Sequence, residues 1–198
     1  GILPEVRAVG SDFGGMALRD GSGTVLLRAR ARAVIGVSRA DLLRLLDAAV
    51  LPSVARAYGP VASLPRSGLV VGADGVHSIV RRSVWGDRSS ERLTPYLALR
   101  GIINEPVPPG GGGEYWGRGQ LFGITPASRG RTYWYASYRS VLGPGGIDVE
   151  EALALTRARL SGRAAGIDRV LAAAAPGETL AQRVWTVPFP GSYRRDGA

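Results

Sequence analysis

The sequence predicts a mixed α/β (α+β) chain whose larger part is a mostly antiparallel sheet backed by helices. Three observations predict it. Apolar and aromatic runs of strand length recur from residue 94 to residue 137, separated by Gly-rich and Pro-rich turns. Two segments with helical start and stop signals, 149–160 and 167–175, follow that β-rich stretch directly. Ahead of it stand a third helical pattern, at 38–51, and an apolar run leading into a Gly-Ala-Asp-Gly turn at 69–75.

Taken in order, residues 2–6 look like a helix tail, so the chain reads as opening in mid-fold. Met16-Ala-Leu-Arg19 and Thr24-Val-Leu-Leu27 flank Asp20-Gly-Ser-Gly23, a composition that argues for a β-hairpin. Residues 38–51 form the clearest helix, with Ser38 as N-cap, Asp41 in the first turn and Pro52 just past the end. Leu42, Leu43, Leu45, Leu46, Ala49 and Val50 make an apolar stripe that is expected to pack against a core. Arg39 is the odd member, because a cation in the first turn opposes the helix dipole at a cost of ~0.3–1 kcal/mol unless an anion sits nearby. Arg39 is therefore either one more exposed arginine or part of an anion site with the free amides of the helix start.

Leu69-Val-Val71 reads as a strand that delivers the chain into the turn, and Ser78 as the cap of a short helix carrying Arg81 and Arg82. One carboxylate, Asp74, and two guanidinium groups are thereby held beside glycines that allow a ligand close to the backbone. Such a corner suits a polyphosphate or dinucleotide. Strand candidates follow at 96–103, 114–116, 120–125 and 132–137, with a flexible Pro/Gly connector at 106–113. Asp148 can cap the helix 149–160, Pro176 ends the helix 167–175, and 181–187 is a further strand bearing Trp185.

Composition narrows the chemistry. The 198 residues are 45% hydrophobic and 21% charged, as in an ordinary soluble globular protein, and no apolar run approaches membrane-spanning length. The expected setting is soluble and cytoplasmic. There is no cysteine, which excludes a disulfide framework, a thiolate nucleophile and cysteine-based metal sites, and His77 is the only histidine, which excludes a multi-histidine metal centre. All 25 basic residues are arginine and are scattered along the chain, a pattern of solvated surface instead of the focused face that nucleic acid requires. A Ser-His-Asp triad would have to use His77, and any chemistry is expected to need an organic cofactor.

The run Gly72-Ala-Asp-Gly-Val-His-Ser-Ile-Val-Arg-Arg82 resembles the Asp-Gly motif of the flavin-dependent aromatic hydroxylases, the single-component FAD monooxygenases of the para-hydroxybenzoate hydroxylase type. Gly72, Asp74, Gly75, Ser78 and Arg81 are in register with it. In that family the motif lies where FAD and the pyrophosphate of NAD(P)H both pass. Ser38-Arg-Ala-Asp-Leu-Leu-Arg-Leu-Leu46 is similar to the family's Arg-x-x-Leu-x-x-x-Leu helix, whose Arg contacts the FAD phosphates, and Arg39 occupies that position. The resemblance implies Arg39, Asp74, Gly75 and Arg81 as cofactor-facing residues. It implies a partial, Rossmann-like FAD-binding domain over 1–92, a substrate domain over 93–190 and a truncated return to the FAD domain at 191–198. Phe122, Tyr133 and Tyr135 are the residues chosen from the aromatic cluster on its strands as pocket candidates.

The chain also departs from that family. It has no Gly-x-Gly-x-x-Gly turn to receive the FAD pyrophosphate. Only residues 52–67 stand where the family runs through several strands, and the sequence ends before the family's second, Gly-Asp motif. Either the product is a remnant, or these residues are a subset of a longer polypeptide.

Three functions are open on this reading. The first is an FAD-dependent monooxygenase that uses NAD(P)H and O2 to oxygenate an aromatic or polycyclic small molecule, with the chemistry carried by the cofactor. His77 then reads as a loop residue near the cofactor and not as a proton shuttle. The second is a non-catalytic flavoprotein remnant or interaction module. A basic nucleic-acid-binding domain is the third, and it would show binding that falls steeply with salt.

Overall fold

A computed structural model describes residues 1–30, 34–65 and 68–195. Its centre is a seven-stranded sheet built from β2 (Met16–Asp20), β3 (Val25–Ala29), β5 (Arg92–Ile103), β6 (Gly113–Gly117), β7 (Gln120–Ala127), β8 (Arg131–Arg139) and β9 (Thr179–Thr186). The strand order is β3-β2-β6-β7-β8-β5-β9. Every neighbouring pair is antiparallel except β2 and β6, which run parallel. The expected mixed α/β class with a mostly antiparallel sheet is what the chain adopts, and all of the expected strands from residue 94 onward form.

Alternation along these strands explains the layering. In β8, Thr132, Trp134, Ala136 and Tyr138 are buried while Tyr133, Tyr135 and Ser137 are only half-buried, the period of two that a sheet covered on one face requires. The buried face packs against α4 (Val149–Leu160) and α5 (Ala165–Ala173). Leu97, Leu99, Phe122, Ile124 and Trp134 from the sheet meet Leu153, Leu160, Ile167, Val170 and Leu171 from the helices to form the core. Asp148 caps α4 by accepting from the amides of Glu150 and Glu151 at 2.8 and 3.4 Å.

The hairpin β2–β3 turns at Asp20, whose carboxylate accepts from the amides of Ser22 and Thr24 at 2.9 and 3.0 Å. It is not confined to the N-terminal part of the chain: through its parallel register with β6 it extends the large sheet. The remaining N-terminal elements are α1 (Leu3–Val9), a two-stranded antiparallel ribbon of β1 (Ser11–Phe13) and β4 (Val34–Gly36), α2 (Arg39–Ala48) and α3 (Ile79–Trp85). The ribbon touches the large sheet where the Ser11 hydroxyl donates to the Ala127 carbonyl at 2.9 Å.

Two expectations are corrected here. Leu69-Val-Val71 is not a strand: no described strand pairs with it, and Leu69 is 92% exposed. A short extended run cannot hold strand geometry without a neighbour to take its amides and carbonyls, and the described residues of 52–67 supply none. The stripe on α2 is only partly covered: no residue of that helix is fully buried, Leu42 and Leu45 are half-buried, and Leu43 and Leu46 stand about half exposed. Among the described residues, then, the N-terminal part contains no parallel nucleotide-binding sheet. The segments Arg66-Ser67 and Asp196-Gly-Ala198, the latter at the expected return toward an FAD domain, lie outside the described residues. No described helix is long and apolar enough to cross a membrane.

Candidate functional site

Arg39 is the first residue of α2, placed there because Ser38 ends the preceding extended segment and its hydroxyl accepts from the Asp41 amide at 3.0 Å. The Ser38 hydroxyl also donates to the Asp41 carboxylate at 2.7 Å, and that hydrogen bond first, then the Arg44 and Arg129 charges, hold the Asp41 carboxyl below the usual range. Arg39 itself is exposed and makes no hydrogen bond or ion pair among the described residues. Its guanidinium is free to meet an anion, and the first amides of α2 lie beside it.

The 72–82 corner is built differently. Asp74 accepts from the amides of Ile79 and Val80 at 2.7 and 3.3 Å, so its carboxylate closes the start of α3 from five residues upstream. The Ser78 hydroxyl, ahead of those amides, keeps the Asp74 carboxyl below its ordinary range. Gly75 has φ +81°, and a side chain there would meet open space, but its carbonyl is taken by the Ser78 amide at 3.2 Å and by Arg81 Nη1 at 3.4 Å. Arg81 is almost wholly occupied: Nε donates to the Ser89 carbonyl at 2.8 Å, Nη2 to the Val76 carbonyl at 2.5 Å and to Glu91 at 3.2 Å. Arg81 therefore shapes the loop through its own backbone partners and presents few free donors to a ligand.

Glu91, which sequence reasoning passed over, organises this corner. It pairs with His77 at 3.0 Å, with Arg81 at 3.2 Å and with Arg82 at 3.7 Å. The His77 hydrogen bond, more than any other contact, lowers its carboxyl to about 2. The His77 ring also meets Trp185 of β9 edge-on at 5.3 Å, which ties the corner to the large sheet. The only sequence signal for Glu91 was its place beside the first residues of β5. Among the described residues no hydrogen bond or ion pair joins this corner to residues 38–41.

On the sheet, the three pocket candidates separate. Phe122 is 1% exposed and stacks on Trp134 at 5.8 Å within the core beneath α4 and α5. Tyr133 and Tyr135 point to the opposite face, their rings 5.7 Å apart. A residue opposite Ala136 in the β7–β8 register must share that strand's helix-side face, which is why Phe122 cannot line one pocket with the two tyrosines. In its place the open face gathers Glu114 and Trp116 of β6, whose alternation with Tyr115 assigns them there. Tyr135 donates to Glu114 Oε1 at 2.6 Å and the Trp116 indole donates to Oε2 at 2.8 Å. Burial first, and Glu114 second, push the Tyr135 phenol far above its usual range, so it is a hydrogen-bond donor at any ordinary pH.

No protein-family model matches the chain. It is similar to the aurachin C monooxygenase/isomerase of Stigmatella aurantiaca, with 35% identity over 105 residues that cover 52% of this chain and 27% of that protein. Similarity to the 3-amino-4-hydroxybenzoate 2-monooxygenase of Streptomyces cremeus amounts to 33% over 91 residues, 43% of this chain and 23% of that one. Among solved structures, Klebsiella pneumoniae HpxO complexed with FAD and uric acid aligns with a TM-score of 0.73 at 24% identity, over 93% of this chain and 55% of HpxO. The chain is thus related in sequence to monooxygenases, shares its fold with a protein that binds FAD, and spans only part of the length of each.

Proposed function

We propose that this chain forms the substrate-side sheet and part of the cofactor edge of an FAD-dependent monooxygenase, one that uses NAD(P)H and O2 to oxygenate an aromatic or polycyclic small molecule. On this reading residues 93–190, joined by the β2–β3 hairpin that extends their sheet, are the substrate domain, the rest of 1–92 is a partial FAD-binding domain and 191–198 the start of a return to it. The observation that carries the reading is the sequence relation to two monooxygenases together with a sheet face left free of α4 and α5 and lined by hydrogen-bonded aromatics.

The residues present fit one end of the cofactor. Arg39 offers an unpaired guanidinium at a helix start, suited to a phosphate, and Gly75 leaves the outer side of its turn free of a side chain. Asp74 and Arg81 hold the shape of that turn. Bound FAD would supply the redox chemistry, taking hydride from NAD(P)H and passing one atom of O2 to the substrate. Tyr133 and Tyr135 would offer ring surface to a flat substrate, and Glu114 would accept a hydrogen bond from it while holding the Tyr135 phenol in place.

A second reading, a module that carries the fold without holding FAD, is favoured by the inward-turned Asp74 and Arg81 and by the absence of a parallel sheet among the described N-terminal residues. Titrating FAD into the purified 198-residue chain separates the two. Saturable flavin fluorescence quenching that Arg39→Ala weakens supports the monooxygenase reading. A colourless chain with no quenching and no shift of the Arg39 or Gly75 amides at millimolar FAD overturns it for this chain and leaves the module.

A further inference from the structure

Two arginines are buried in the large sheet without an acidic partner, and they differ. Arg183 of β9 satisfies its guanidinium on three carbonyls, those of Tyr96, Thr94 and Leu142. Arg19 of β2 is 7% exposed, donates to the Gly23 and Gly110 carbonyls, and leaves its Nε–H without an acceptor. Among the described residues no carboxylate lies within ion-pair distance of it. The Tyr115 ring, 5.5 Å from the guanidinium carbon, offsets the charge only in part. A buried cation without a counter-charge is costly, and an anion within reach removes that cost.

Arg19 borders a cavity of about 420 Å³ walled on its other sides by the 108–111 loop and the first turn of α5. That helix starts without a capping side chain: its N-cap is Ala164, and no side chain accepts from its first amides. Asp168, the acid of this turn, uses its carboxylate on the Gly162 amide at 2.7 Å. Arg169 adds a second cation at the rim, paired at 3.1 Å with Glu105. The cavity thus combines a buried guanidinium that has no acidic partner with a helix N-terminus that has no side-chain cap, and no acidic residue lines it.

We propose that this cavity binds a small oxyanion, a phosphoryl or carboxylate group, held between Arg19 and the free amides at the start of α5. It lies on the helix-covered side of the sheet, since Arg19 and Tyr115 are both buried and directly in register, whereas Glu114 and Tyr135 look the other way. The inference does not depend on the flavin reading.

The test is an amide-resolved NMR titration of the 198-residue chain with inorganic phosphate and, separately, acetate, at constant ionic strength with chloride as the reference. Saturable shifts at Ala165, Gly166 and Gly111 are expected. Response to phosphate alone assigns a phosphoryl group, response to acetate alone a carboxylate, and response to both the shared oxyanion chemistry. Arg19→Gln is expected to weaken binding at least about tenfold. Ala164→Asp, which gives the helix start its own carboxylate, is expected to keep the fold and abolish the shifts. It decides the matter even where Arg19→Gln fails to fold. Absence of saturable shifts with either anion, an unchanged response in Ala164→Asp, or shifts spread evenly over the exposed arginines would overturn the proposal.

Discussion

Tyr135 reaches across an entire strand to Glu114, phenol to carboxylate at 2.6 Å, because the residue between them is Gly123. The Tyr135 ring lies directly on that glycine, where an added Cβ would come within 2.1 Å of Cζ. A backbone position without a side chain thus lets β8 and β6 share a hydrogen bond over β7.

Gly123→Ala is therefore expected to push the ring out of its seat and break the contact with Glu114, at a cost of about 1–3 kcal/mol for the overpacking. Urea denaturation checks it. The double variant Gly123→Ala/Tyr135→Ala should recover much of that cost, giving a coupling well away from additivity. Additive losses would mean that the ring and the glycine do not constrain each other.

The titration of Tyr135 follows from the same geometry. Its raised phenol keeps the proton in the folded state after the unfolded chain has lost it. The associated stability is complete below the unfolded value near 10 and falls as pH rises through the folded one. The phenolate absorbance of the wild type minus that of Tyr135→Phe should show no transition until well above pH 10, and Glu114→Gln should move that transition down. A difference transition at the ordinary phenol value would contradict the hydrogen bond.

The sheet was legible in the sequence because alternation, turn residues and helix caps are local signals, and here each agreed with its neighbours: Asp148 at the start of α4, Asp20 in the hairpin, Pro176 after α5. What failed depended on partners outside the local window. Leu69-Val-Val71 has strand composition, yet a strand exists only beside another, and the stripe of α2 shows what that helix could bury but not whether a neighbour is there. Phe122 was misplaced because aromaticity says nothing of which face a residue occupies until register is known. Arg39 and the 72–82 corner were legible as a motif. The internal use of Arg81 was not, since Glu91 and the Ser89 carbonyl enter only through the three-dimensional loop.

Glu91 makes the corner acid-sensitive. Its carboxyl is lowered from 4.5 to about 2, chiefly by His77, so the folded state stays ionised where the unfolded chain takes up a proton. That contribution is present above about pH 4.5 and is lost as pH falls toward 2. Glu91→Gln should flatten the pH dependence of stability over this window, measured as denaturation midpoints at successive pH values. Its amide exchange should rise locally, at residues 75–82, with the core of the sheet unaffected. An unchanged profile would show that the three cations do not act through this carboxylate.

Arg39, Asp74 and Arg81 separate into one residue free for a ligand and two that build a loop, and substitution should expose the difference. Arg39→Ala removes an exposed side chain without partners, so the unfolding free energy is expected to stay within about 0.5 kcal/mol of wild type while FAD affinity drops. Asp74→Ala deprives the amides of Ile79 and Val80 of their acceptor, a loss of capping that costs about 0.5–2 kcal/mol. Arg81→Ala leaves the Ser89 and Val76 carbonyls and Glu91 without their donor, and is expected to loosen residues 75–91 before it touches any ligand. Flavin quenching and urea midpoints measured on the same three variants give the answer. A loss of affinity without a loss of stability at Asp74 or Arg81 would mean that those side chains turn outward to the cofactor, and that the inward contacts yield when it binds.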